Sequence, residues 1–191
     1  PPFQYSSVDF AGPFRVRQIR LRGSKGTTKA YIAVFVCCCT RAVYLELVED
    51  YTSLAFIDAF SRFTNLRGHC SQLRSDRGTN FIGADAELKM MFSEASEEFS
   101  HCLEHLADQG TTWIFNPANA PHFGGLWEAA VKSTKHHLKR LLGEHILTFS
   151  EFATLITKVQ ACLNSRPSCL IREDGAEPRV LTPSDLLIQR R

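Results

Sequence analysis

Ten consecutive apolar residues, "AYIAVFVCCC" at 30–39, restrict the fold of this chain more than any other stretch. A half-exposed strand alternates apolar and polar side chains, whereas this run shows no polar face, so it predicts an interior strand over 29–39 buried on both sides. Such a strand needs neighbours along both edges and a layer on each face, which means a sheet with helices above and below. The run is also too short to cross the ~30 Å hydrocarbon core of a membrane as a helix. Nor does the N-terminal "PPFQYSSVDF" have a signal layout. The expectation is a soluble, intracellular protein without a membrane partner.

The flanking sequence supplies those layers. Residues 3–10 read as a strand ending at Asp9-Phe10, stopped by Gly12-Pro13. Residues 14–22 alternate basic and apolar with a slip near Gln18, which suggests a bulged edge strand. "AVYLELV" at 42–48 alternates as a strand should. Leu54, Phe56, Ile57, Phe60, Phe63 and Leu66 keep helical spacing before Gly68. A strand follows at 71–75, then an acidic helical stretch at 80–107 and a short strand at 111–117 closed by Pro117. Helices are predicted at 125–142 and 149–164, and the tail at 168–191 is irregular apart from one turn in "LTPSDLL". Hairpin-joined strands followed by strands alternating with helices make an α/β protein with a mixed five-stranded sheet flanked by helices. A chain of 191 residues can bury such a core without staples.

The seven cysteines include no CxxC pair. Adjacent Cys37, Cys38 and Cys39 point alternately to opposite faces of a strand, so they read as reduced, buried thiols. His69, Cys70, His101, Cys102 and His105 lack the spacing of a zinc site, and that reading is the weaker one. The net charge of +2 hides a segregation. Residues 11–30 carry Arg15, Arg17, Arg20, Arg22, Lys25 and Lys29 without an acid, whereas Asp85, Glu87, Glu94, Glu97, Glu98 and Glu104 gather further on. Such a division suits a polyanion on one side of the molecule, and equally two solvated faces.

Three carboxylates draw attention by position. Asp9 ends the first predicted strand and Asp76, in "LRSDRGTNF", ends the fourth, just before Gly78. Glu128 lies in the first turn of the helix "GGLWEAAVKSTKHHLKRLL", where the helix dipole favours an ionised acid. With Glu128 at zero, Lys132, Lys135 and Lys139 fall at about 40°, about −20° and about 20°, a single face. Trp127, Val131, Leu138, Leu141 and Leu142 fall roughly 100° to one side, predicting a buried stripe. One Glu–Lys pair would be worth only ~0.3–0.5 kcal/mol on a solvated helix. Three lysines in register behind an acid favour phosphate contact instead. Converging carboxylates suit hard divalent cations, and two such ions ~3.5–4 Å apart clamp an in-line displacement at phosphorus.

Five motifs, "VDFAGPF", "SDRGTNF", "APHFGGLWEAAVKSTK", "LNSRP" and "LTPSDLL", occur in an order that resembles the integrase core of LTR retrotransposons, in particular the BEL/Pao group. The resemblance spans nearly the whole chain. It implies a ribonuclease-H-like fold and a DDE triad falling on Asp9, Asp76 and Glu128, with Mg²⁺ or Mn²⁺, two ions, as cofactor. It also implies 3′-end processing and joining of element DNA to target DNA, and Lys132 and Lys135 match positions that hold element ends in related integrases. DNA ends and a target duplex are the expected partners of a homo-oligomer acting in the nucleus, with no small-molecule substrate. Between Asp76 and Glu128 the chain is longer than in the best-known integrases, and the excess is assigned to a peripheral acidic insert at 85–110. The expected organisation is a core over 1–167 with an extension at 168–191 toward a further domain; motifs for the family's zinc module and small β-barrel are not in the sequence.

Asn116 and His122, in the loop before the long helix, and Arg77, beside Asp76, are further candidates for DNA contact; loop capping and charge compensation are the plainer alternatives. Arg166 in "NSRP" reads as a partner for a helix terminus. Two other functions fit the same residues: a ribonuclease-H-type nuclease that attacks only with water, and a host-adopted DNA-binding or assembly module that no longer catalyses.

Overall fold

The structure is a computed structural model and describes residues 1–18, 26–49, 52–75, 97–115, 125–143, 145–171 and 178–187. The strands are β1 (Tyr5–Arg17), β2 (Thr27–Cys37), β3 (Val43–Val48), β4 (Gln72–Ser75), β5 (Thr112–Phe115), β6 (Cys169–Ile171) and β7 (Arg179–Leu181). The helices are α1 (Ser53–Arg67), α2 (Glu97–Asp108), α3 (Gly125–Leu142), α4 (Phe149–Asn164) and α5 (Pro183–Leu187). The main sheet has the order β3-β2-β1-β4-β5. Its first three strands are antiparallel, whereas β4 runs parallel to β1 and β5 parallel to β4. The mixed five-stranded sheet flanked by helices is therefore present, and the apolar run does occupy an interior strand buried on both faces.

Alternation along β2 sends side chains into two cores. Tyr31, Ala33, Phe35 and Cys37 join a cluster with Phe56, Phe60 and Phe63 of α1, Cys102 and Leu106 of α2, and Trp113 of β5. Ala30, Ile32, Val34 and Val36 join the opposite cluster, with Trp127, Val131 and Leu138 of α3 and Phe152, Ile156, Val159 and Leu163 of α4. Thr52 caps α1 by accepting from Ala55 N at 3.2 Å. Thr148 and Glu151 form a reciprocal capping box on α4. The C-terminal end of α4 is fastened to the sheet by amides. Asn164 Oδ1 accepts from Val43 N and its Nδ2 donates to Val43 O, both at 2.8 Å, and Gln160 Oε1 accepts from Leu45 N at 2.8 Å.

Several expectations are corrected. Residues 3–10 and 14–22 are not two strands: β1 continues through Gly12-Pro13, so Asp9 lies within a strand rather than at its end. Ala11 pairs with Ile32 and Phe14 with Ala30, so β1 advances three residues where β2 advances two, and the irregularity sits there instead of near Gln18. Gly12 is needed at this bulge, because its φ is +148° and a Cβ would come within 2.6 Å of the Tyr31 ring. The strand β2 ends at Cys37, and the turn that follows leaves Cys38 half-buried and Cys39 exposed, so only the first of the three thiols is buried. Leu54 and Leu66, at the margins of the α1 stripe, are exposed. Of the expected insert at 85–110, residues 85–96 lie outside the described residues; in the described part, α2 buries Cys102 and Leu106 fully. The tail contains the hairpin β6–β7 and the short helix α5.

Candidate active site

Asp9 pairs with Val34 across the β1–β2 ladder. Residues paired across a ladder project on the same face, and Val34 belongs to the cluster that contains Trp127 and Val131. The neighbours of Asp9 in β1, Val8 and Phe10, pack into the aromatic cluster on the opposite face. The Asp9 carboxylate is therefore on the α3 side of the sheet, half-buried, with Oδ1 accepting from Phe10 N at 2.7 Å.

Glu128 reaches the same side from above. The helix α3 packs on β1 and β2 through Trp127, Val131, Thr134 and Leu138, all buried. Thr134 is tolerated in that stripe because its hydroxyl donates to Ala130 O at 2.8 Å. Glu128 follows Trp127 in the first turn and is exposed, at the end of the helix where the dipole favours a negative charge. Lys132, Lys135 and Lys139 are exposed along the same helix. One member of the predicted stripe is corrected: Leu141 is 57% exposed. At about −140° it lies at the margin of an arc centred near about −90°, in the last turn, and Leu142 on the other margin is half-buried.

Asp76, Arg77, Asn116 and His122 lie outside the described residues. The strand β4 pairs with β1 through Tyr5–Gln72, Ser6–Leu73 and Ser7–Arg74. Among the described residues no three His, Cys, Asp or Glu side chains come together to hold a metal. Cys70 and Cys102 are buried in the aromatic core, and His105 Nε2 lies 3.0 Å from Gln109 Nε2. The donors at Asp9 and Glu128 are carboxylate oxygens alone, a set that fits Mg²⁺ or Mn²⁺ rather than zinc.

Arg166 takes the helix-terminus role read from the sequence: its Nη1 donates to Leu163 O, at the end of α4. Its Nη2 donates to Arg41 O in the β2–β3 turn. Arg41 drew no notice in the sequence, where the available signal was a cation two residues after the cysteine run. A separate groove of about 670 Å³ runs between β3, α1 and α4, and includes neither Asp9 nor Glu128.

No family model and no curated protein matches the chain. Solved structures do. Over all of this chain and 56% of the other, the fold is similar to a chain of the simian T-cell lymphotropic virus intasome in complex with PP2A regulatory subunit B56 gamma, at 15% identity and a TM-score of 0.62. The chain thus spans little more than half the length of that relative. The HTLV-2 integrase catalytic core domain in complex with magnesium is similar in its trimeric form at 18% identity and a TM-score of 0.56, over 97% of both chains. Its dimeric form is similar at 19% identity and a TM-score of 0.54, over 89% of this chain and 90% of that one. The mixed five-stranded sheet and its flanking helices are therefore the fold of a retroviral integrase catalytic core, the ribonuclease-H-like fold.

Proposed function

We propose that this chain is the catalytic core of a DNA-joining enzyme, a metal-dependent polynucleotidyl transferase from a BEL/Pao-like LTR retrotransposon. It trims element 3′ ends and joins them to target DNA, acting inside the cell and, at the joining step, in the nucleus. The observation that carries this reading is that Asp9 on β1 and Glu128 on α3 share one side of the sheet. By the motif resemblance Asp76 is the third carboxylate of the proposed triad, with Asp9 and Glu128. These carboxylates would hold Mg²⁺ or Mn²⁺, two ions in the full site, whose Lewis acidity would favour an ionised attacking oxygen and offset charge on the leaving oxygen. The protein's share of the work is positional: a strand and a helix fix two ligands, and the cations along α3 hold phosphates nearby. Lys132, Lys135 and Lys139 would take backbone phosphates, with Asn116, His122 and Arg77 as further DNA contacts. The magnesium in the HTLV-2 core structures, their dimeric and trimeric forms, and the intasome assembly support a metal cofactor, a homo-oligomer and DNA as partner.

The test is Mn²⁺-dependent phosphodiester transfer on a branched DNA that mimics a joined product, with Asp76→Asn and Glu128→Gln in parallel. Joined product from the wild type, reduced at least about a hundredfold in both variants, is expected. Cleavage of an RNA–DNA hybrid without joining would favour the nuclease. Tight DNA binding with no chemistry and no metal dependence would favour the non-catalytic module.

A further inference from the structure

Two grooves border the helices on the α3–α4 side, and they differ in charge. The groove at β3 is lined by Glu46, Glu49 and Asp58 against a single cation, Arg62, which pairs with Glu46 at 2.6 Å. The other, of about 470 Å³, lies beside α3 and has Arg41, Arg166, Ser133 and Ser168 on its walls and Val36 and Ala129 among its apolar lining, with no carboxylate among the described lining residues. A polyanion would be repelled from the first and drawn to the second.

The cationic groove is also built rather than merely charged. Arg166 spends two of its five N–H donors on Leu163 O and Arg41 O, which fixes the guanidinium plane and leaves three donors. Arg41 holds a left-handed backbone, φ 61°, in the turn, and its carbonyl accepts from Arg166. Burial first, and then the neighbouring Arg41 charge, push the Arg166 guanidinium below its ordinary value. Two like charges held together, with no acid among the described lining residues, make a site that an anion would stabilise.

Its position links it to the carboxylates. Ala129 follows Glu128 and Ser133 follows Lys132 on α3. Val36 pairs with Ser7, two residues before Asp9, and Ser7 pairs in turn with Arg74. Leu73 packs on the aromatic face and Trp113 Nε1 donates to Ser75 there, so Arg74 projects toward the α3 side.

We propose that this groove binds the phosphate backbone of a nucleic-acid strand as it leaves the carboxylates, with Arg41 and Arg166 as the phosphate contacts. The proposal rests on the DNA-joining reading above and adds a path for the strand. The experiment uses the 191-residue chain and a fluorescein-labelled DNA duplex, with affinity read by anisotropy from about 50 to about 200 mM salt. Arg41 and Ser133 are exposed, so Arg41→Glu and Ser133→Glu keep the buried packing, which thermal melts would verify. Each is expected to weaken binding about tenfold and to flatten the salt slope by about 1. Glu128→Gln, run beside them, should keep DNA affinity and lose joining. Wild-type affinity and slope in both groove variants, with Glu128→Gln inactive, would overturn the groove and leave the joining function standing. Joining by Glu128→Gln, with both groove variants weakened, would instead overturn the assigned carboxylates and keep the groove. Unchanged DNA binding together with retention of an oligoglutamate peptide, lost in Arg41→Glu, would hand the groove to an acidic protein segment and overturn the nucleic-acid occupant.

Discussion

The two faces of the central sheet are filled with different chemistry. Under α1 the packing is aromatic: Phe63 stacks on Phe35 at 4.3 Å and meets Phe3 edge-on at 5.3 Å, with Tyr44 at 5.5 Å and Phe60 at 6.0 Å. Under α3 the strands offer mainly Ala11, Ala30, Ile32 and Val34; Trp127 and Phe152 enter from the helices, and Phe14 of β1 meets Phe152 at 5.3 Å. Large rings between layers hold a helix away from a sheet, whereas small strand residues let it settle closer. The face with the smaller strand residues is the one on which β1 presents Asp9 and against which α3, carrying Glu128 in its first turn, packs.

That contrast can be broken at graded cost. Phe63→Ala removes a ring with four aromatic neighbours and is expected to lower stability by about 3–5 kcal/mol, measured by denaturant unfolding, while leaving DNA joining by the folded fraction intact. On the other face, Asn164→Ala would strand the N–H and C=O of Val43 and cost about 2–3 kcal/mol in the same assay. The aromatic side should also set an alkaline limit. Burial pushes the Cys70 thiol up to about 11 from an ordinary 9.0, outweighing its hydrogen bonds with Ser6 and the Gln72 backbone. Unfolded, that thiol ionises at lower pH than it does in the fold. Its contribution is therefore intact below about pH 9 and is lost toward about pH 11, on the order of 2 kcal/mol in all. A melting-temperature profile that stays as steep in Cys70→Ala as in the wild type would refute this. The smallest effect expected is from Thr148→Ala, about 1 kcal/mol, through loss of the capping box at the start of α4.

What the sequence disclosed follows from which interactions are local. The strand β2 was legible because ten apolar residues leave no exposed face, and the buried stripe of α3 because helical spacing is a property of neighbouring residues. The bulge was not legible. Glycine and proline ordinarily end a strand, and only Tyr31 on the partner strand shows why glycine is needed within this one. Cysteine is apolar whether or not the strand has ended, so the turn after Cys37 left no mark in the pattern. The acidic surroundings of α2 likewise masked the burial of Cys102 and Leu106. Asp9 and Glu128 could be nominated from strand and helix position, yet the face that Asp9 occupies depends on its register with Val34. Arg41 and Arg166 meet across 125 residues of sequence, a separation that no periodicity reports.

The amides at the end of α4 have one more consequence. An edge strand such as β3 exposes backbone groups that can recruit a strand from another molecule. Here Asn164 and Gln160 already occupy the N–H groups of Val43 and Leu45 and the carbonyl of Val43. The helix lends its side chains as a substitute sixth strand, so the sheet is closed to growth along that stretch. A foreign chain would first have to unseat the last turn of α4, and the barrier to stacking copy upon copy through this edge is written into two amide side chains.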